Sequence, residues 1–327
     1  MSEAAPARAP AEDAVRVGLL CGIAAYAIWG VFPVYFKAVE GASAAEILAH
    51  RILWSVPVGA LVLFVRRQWP EVAAALASPR VLAMLAVTAI AISANWLIYI
   101  IAVVSDRVLE ASLGYYINPL MYVAAGVFIM REKLRRAQVV AVALAAIGVL
   151  TLTIGAGTFP WMALALAFLF TAYGYLRKTT PVGAMPGLFI ETCLLAPVAL
   201  VYLLLLARAG EAAFLARGAG FDALLMLAGP ATVAPLVLFA LAARRLRLST
   251  LGFLQYIAPT GQFLLGLYYG EAFTLAHAFA FGFIWIGLAV FSLDAARANQ
   301  AEKLARAAAG APPSSLTTGA GPTPKSS

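Results

Sequence analysis

Apolar residues along this chain fall in long, nearly unbroken runs, with charged or turn-rich segments between them. Ten such runs cover residues 17–36, 45–65, 81–104, 109–130, 137–154, 160–177, 186–207, 223–243, 249–270 and 275–293. A helix that crosses a bilayer needs roughly 20 residues, so each run predicts one spanning helix. The fifth and sixth are parted only by Gly155 to Phe159, and together they are far too long for one crossing. The first run exceeds a signal-peptide core and lacks a small-residue cleavage site, so it reads as an uncleaved span. Residues 1–14, rich in Ala and Pro, and the Ala/Gly/Pro/Ser/Thr-rich segment 296–327 read as disordered tails.

Composition narrows the class. Of 327 residues 63% are hydrophobic and 12% charged, and the mean hydropathy is +0.91. A soluble domain is about 45–50% apolar and about a quarter charged. Disordered chains, disulfide scaffolds and ordinary soluble enzymes are thereby excluded. The net charge of +8 would suggest nucleic acid in a soluble protein. Here, with the N-terminus placed inside, 18 of the 23 Lys and Arg fall in inner segments and four in outer ones, Lys37, Arg107, Arg208 and Arg217. Arg51 alone lies within a run. That asymmetry is a topology signal, predicting both termini in the cytoplasm and no nucleic-acid partner. Cys21 and Cys193 lie in apolar runs at a spacing that matches no metal motif, and read as core residues.

The chain also resembles itself at an offset of about 140 residues. Tyr35-Phe36-Lys37 matches Tyr175-Leu176-Arg177, Pro57 matches Pro197, and Tyr116-Ile117-Asn118-Pro119 matches Tyr256-Ile257-Ala258-Pro259. With a one-residue slip, Glu132 matches Glu271 and Gly148 matches Gly287. The repeat unit is five spans, 15–154 and 155–295, and an odd number puts the second unit in the membrane upside down. Inverted repeats of this kind are frequent in secondary transporters, with the solute site near the midplane.

Particular segments carry a family resemblance: Tyr26-Ala-Ile-Trp-Gly-Val-Phe-Pro-Val-Tyr35, Glu46-Ile-Leu-Ala-His-Arg-Ile-Leu-Trp-Ser55, Ala111-Ser-Leu-Gly-Tyr-Tyr-Ile-Asn-Pro-Leu120, Arg131-Glu-Lys-Leu134, Ile257-Ala-Pro-Thr-Gly-Gln262 and Phe283-Ile-Trp-Ile286. They resemble the RarD subfamily, in the EamA branch of the drug/metabolite transporter superfamily, over roughly residues 15–295. The resemblance implies an all-α membrane protein of ten transmembrane helices, two inverted five-helix EamA repeats, in a bacterial inner membrane. It names no substrate. Gly261 stands where a larger residue is expected, which predicts looser packing in span nine.

Ionisable groups inside a span are costly and mark function by default. Arg51 and Glu191 differ by 140 and are pseudo-equivalent positions of opposite charge. Each is a candidate for solute binding or gating. The plainer readings are snorkelling of Arg51 to the interface and a helix N-terminus stabilising Glu191. A coupling proton on Glu191 is a further option. Glu46 fits a capping box with Ser43, and Glu46, His50 and Trp54 share a helix face, where a Glu–His pair could relay protons. Span three offers Asn95 and Tyr99, span four Ser112, Tyr115, Tyr116 and Asn118, and span nine Gln255, Tyr256 and Gln262. Pro119 and Pro259 predict paired helix kinks, the best sequence pointer to a transporter site. The alternative is that these polar residues glue helices together. Trp29, Trp54, Trp285, Tyr26 and Tyr35 are expected around the cavity, Trp69 and Trp161 as interfacial anchors, and Arg131 to Arg136 as an inner anchor.

The functional expectation is a secondary active permease that exports a small organic solute by alternating access. Its partners would be that solute, membrane lipid and a coupling proton. A passive channel or a scaffold is the alternative. No phosphate loop, H-E-x-x-H or G-x-S-x-G motif occurs, so neither an ATPase nor an intramembrane enzyme is expected, and no catalytic residue, cofactor or metal is assigned.

Overall fold

A computed structural model describes residues 9–130, 135–157, 159–246 and 248–308, and every regular element among them is an α-helix. In chain order they are α1 (Ala9–Gly30), α2 (Phe32–Ala38), α3 (Ala44–Val65), α4 (Trp69–Leu76), α5 (Pro79–Val104), α6 (Val108–Met130), α7 (Arg136–Ala156), α8 (Trp161–Thr179), α9 (Ala184–Arg208), α10 (Ala219–Ala243), α11 (Leu248–Leu254), α12 (Ile257–Tyr268) and α13 (Leu275–Ala308). Each apolar run is one helix or, for the first and ninth, a broken pair. Gly157, in the left-handed conformation at φ +66°, ends α7 and separates the fifth run from the sixth. Helix α4 falls in a segment read from sequence as a linker, and α1 and α13 each extend into an expected tail. The remaining tail residues and most of the Arg131–Arg136 anchor lie outside the described residues.

Among the described residues, seven helical stretches are long and apolar enough to cross a membrane: 14–38, 44–65, 79–104, 136–155, 184–208, 219–243 and 275–298. Large apolar side chains cover their outward faces: Phe64 is 72% exposed and Ile154 80%. Water would drive such residues inward, whereas hydrocarbon accepts them. The protein is an all-α, multi-pass membrane protein.

Contacts between loops define two ends of the bundle. At one end, Lys37 donates to Asp106 and the Glu46 carboxylate accepts the amides of Ala213 and Phe214 at 2.8 and 3.0 Å. There too, Glu271 accepts the amides of Val108 and Leu109, and Glu110 that of Met162. At the other end, Glu71 accepts the Gly183 amide and Arg135 pairs with Asp294. Three of these glutamates, Glu71, Glu110 and Glu271, occupy the N-terminus of a neighbouring helix, where unpaired amides and the helix dipole favour an anion. Burial pushes the Glu271 carboxyl up from its ordinary value, and the two amides partly offset that. Half of the expected capping box forms, since Ser43 caps the Glu46 amide. The Glu46 carboxylate serves the distant loop instead.

Two helices are interrupted. Pro33 has no N–H, so the carbonyl four residues earlier, Trp29, loses its helical donor. The chain breaks at Val31, and Gln262 Nε2 on α12 donates to that carbonyl at 3.1 Å. Likewise Pro259 lies four residues beyond Gln255, where α11 gives way to α12. Helix α6 runs unbroken through Pro119. Val31 thus interrupts the first run as the α11–α12 junction interrupts the ninth, while the chain stays helical at Pro119. Gly261 also departs from expectation. A β-carbon there would sit 3.1 Å from the Gly30 Cα, so the glycine brings α12 tightly against α1 and does not loosen it.

The main helix contacts are α3 with α9, α6 with α12 and α7 with α13, then α1 with α10 and α5 with α8, α1 with α12 and α6 with α8, and α3 with α10 and α5 with α9. Replacing each helix by the one five runs further on leaves this set unchanged. Detail repeats as well. A β-carbon on Gly148 would lie 2.9 Å from the Ala280 carbonyl oxygen, and one on Gly287 would lie 2.9 Å from that of Ala141.

Candidate functional site

Arg51 sits seven residues into α3, roughly 10 Å from that end of the helix at 1.5 Å per residue. It is 5% exposed, and its Nε donates to Thr232 Oγ1 on α10 at 2.8 Å. The guanidinium lies over the Trp96 ring at 4.1 Å, with Phe32 and Phe36 at 5.5 and 5.8 Å. Such stacking suits a weakly hydrated, planar cation. Tyr35, Tyr99 and Tyr115 lie within electrostatic range of it. Tyr99 packs edge-on against Phe36 and Tyr115, and the Tyr115 hydroxyl approaches Asn95 Oδ1 at 3.5 Å. Asn95 also donates to the Leu166 carbonyl on α8. Snorkelling is therefore not what Arg51 does, because its head is enclosed by aromatic rings from α2 and α5. The Tyr99 hydroxyl and Gln262 Oε1 are buried within interaction range of one another, and among the described residues neither has another hydrogen-bond partner.

Glu191 occupies the matching place near the other end, seven residues into α9 and 1% exposed. Thr88 on α5 donates to Oε1 at 2.7 Å and Tyr173 on α8 to Oε2 at 3.2 Å. Arg177 Nε lies 3.5 Å from Oε1. The two charged residues are thus each held by a threonine, Thr232 on α10 or Thr88 on α5. They do not contact one another. Arg177, counted from sequence as a topology charge, is the partner of Glu191.

The remaining predicted residues divide among other places. Trp54 Nε1 donates to His50 Nδ1 at 3.2 Å, and the His50 ring lies 4.7 Å from that of Phe214. Glu46 is occupied by the Ala213 and Phe214 amides and does not bond to His50, so the expected relay pair is not formed. Ser112 donates to the Leu109 carbonyl of its own helix, and Asn118 is buried with Oδ1 unpartnered among the described residues. Gln255 and Tyr256 stand at the α11–α12 break. Tyr116 and Tyr256, matched in the internal repeat, stack at 6.4 Å and 20°. They line a cleft of about 400 Å³ with Thr260, Trp285, Leu288, Ala289 and Ser292. Tyr116 and Thr260 share a 2.7 Å hydrogen bond at its edge. Sequence reasoning missed Thr88, Thr232, Tyr173 and the role of Trp96. For the two threonines and Tyr173 the available signal was a hydroxyl within an otherwise apolar run.

Among the described residues no group of three or more His, Cys, Asp or Glu could hold a metal ion. Residues 16–154 match the model of the EamA-like transporter family. An uncharacterized transporter of Vibrio cholerae is 45% identical over 298 residues, 91% of this chain and 99% of its own. Protein RarD of Escherichia coli is 44% identical over 281 residues, covering 86% and 95%. The chloramphenicol-sensitive protein RarD of Pseudomonas aeruginosa is 31% identical over 285 residues, covering 86% and 95%. A protein of known crystal structure shares the fold at 20% identity and a TM-score of 0.54, over 84% of this chain and 97% of its own. Relatives of such length and identity include named transporters and named RarD proteins, and the chain belongs to the RarD subfamily of the EamA-like, drug/metabolite transporter superfamily.

Proposed function

We propose that the protein is a secondary permease of ten spans, built as two inverted five-helix repeats, that moves a small organic solute across the inner membrane by alternating access. The observation that carries this reading is the exchange relation between the halves. The main helix contacts map onto themselves, Gly148 and Gly287 make reciprocal contacts, and Arg51 and Glu191 take equivalent places on threonines of equivalent helices. A two-fold arrangement of this kind gives two alternative ways to tilt one half against the other. In that frame Arg51, Asn95, Tyr99, Tyr115 and Gln262 form the solute site, and Glu191 with Arg177 closes the cytoplasmic end. A coupling proton would ride on Glu191.

Counterflow in proteoliposomes tests the carrier. Labelled medium from producing cells should enter vesicles faster and saturably when the same unlabelled mixture is inside. Uptake that rises linearly without trans-stimulation points to a passive channel. The orientation is tested in a variant with Cys21 and Cys193 replaced by Ser. Cysteines introduced as Asp106→Cys and Glu211→Cys should react with an impermeant maleimide from the periplasm, and Gln68→Cys should not. The opposite pattern overturns cytoplasmic termini.

A further inference from the structure

The two halves treat one charge pair differently. In the second half Arg177 and Glu191, fourteen residues apart, meet at 3.5 Å. The same two positions in the first half, 140 residues earlier, are Lys37 and Arg51. Both are cations and cannot pair. Lys37 turns to the bundle end, where its Nζ reaches Asp106 at 2.7 Å and Glu40 at 3.1 Å. Arg51 stays inside, and among the described residues no carboxylate lies within 4.0 Å of it. An isolated buried charge is costly by several kcal/mol. The ring of Trp96 and the Nε bond to Thr232 offset only part of that cost.

We propose that the solute of the Arg51 site is a monocarboxylate with a flat or apolar body, its carboxylate standing where the first half lacks an acid. This deepens the permease reading and rests on it. With Nε committed to Thr232, no acceptor among the described residues binds the two Nη groups. Their planar fork matches a carboxylate with two parallel N–H···O bonds. Trp96, Phe32 and Phe36, whose rings surround the guanidinium, make the setting apolar and so favour a solute with an apolar body, and the Tyr99 hydroxyl packs beside the Phe36 ring with Gln262 near it. A cationic solute would find no acid at this site. A neutral one would leave the guanidinium uncompensated.

The test measures binding in detergent solution, by melting temperature and tryptophan fluorescence. The probes are phenylacetate, indole-3-acetate and octanoate, each beside its amide and the corresponding amine. Carboxylates should raise the melting temperature and perturb fluorescence, while amides and amines should not. Arg51→Gln should weaken carboxylate binding roughly thirtyfold or more, and Arg51→Lys should retain the preference at lower affinity. Arg51→Glu should abolish it, because it rebuilds the second-half pattern with Lys37. The comparison in unaltered protein stands even if a variant fails to fold. Binding of amides or amines as tight as the carboxylates overturns the proposal, as does undiminished binding in Arg51→Gln or no carboxylate binding at all. Counterflow separates this inference from the reading beneath it. Carboxylates that bind without saturable flux overturn the permease and leave the anion site standing. Saturable flux of a non-acid without carboxylate binding does the reverse.

Discussion

Replacing Glu191 by alanine is expected to abolish flux and to lower the melting temperature sharply, while replacing Arg177 as well recovers much of the stability. Glu191 is enclosed, and its oxygens are bound by Thr88, Tyr173 and Arg177. Its loss leaves Arg177 as a largely buried cation whose Nη1 already lacks a partner among the described residues. Breaking a buried pair from one side costs about 3–5 kcal/mol, because the remaining charge stays behind uncompensated. Arg177→Ala should cost a similar amount for the mirrored reason. The double variant should cost clearly less than the two singles together, since only one interaction is lost. Flux should be absent in all three, with membrane insertion intact. Additive losses in the cycle would show that the two residues act independently, and full flux in the double variant would remove the pair from transport.

A bulky residue at the α7–α13 crossing should do comparable damage by a different route. Gly148 and Gly287 each face a main-chain carbonyl of the opposite helix at contact distance. A backbone cannot swing aside as a side chain can. In a bilayer, moreover, helices associate largely through such close approach of small residues. Overpacking of this kind costs about 1–3 kcal/mol or more. Gly148→Leu and Gly287→Leu should each lower the melting temperature and broaden the elution profile in detergent. Together they should cost less than their sum, because the first substitution already separates the helices for the second. Additivity would mean that the two contacts are not on one interface.

Much of this arrangement was written in the run pattern. Each apolar stretch is one helix or a broken pair of helices, because continuous hydrophobicity over about 20 residues leaves the backbone little alternative in lipid. The same reading isolated Arg51 and Glu191, since charge is rare within a span. What it could not supply was partnership. Arg177 looked like any other cation at a helix end, and only the fold of the 180–183 turn brings it back onto Glu191. Glu46 fitted a local capping box, yet the loop after α9 passes close enough to take its carboxylate, a contact 167 residues away in sequence. The proline rule singles out Pro119 and Pro259 and passes over Pro33, near the end of the first run, where the chain is interrupted at Val31. Gly261 reads as a packing defect in sequence because its facing residue, Gly30, which also lacks a side chain, belongs to a different run.

The break at Val31 has a mechanical meaning. The main-chain ladder is already open at Pro33, so tilting the seven residues of α2 severs no Trp29–Pro33 bond. The joint is fastened by a side-chain clasp, Gln262 on the Trp29 carbonyl. Phe32 and Phe36 travel on that short segment, and their rings stand over Arg51. A tilt of that shutter would therefore undo side-chain ties alone, this clasp, the Tyr35 hydroxyl on the Leu224 carbonyl at 2.9 Å and Lys37 on Asp106, with no main-chain bond between Trp29 and Pro33 to break.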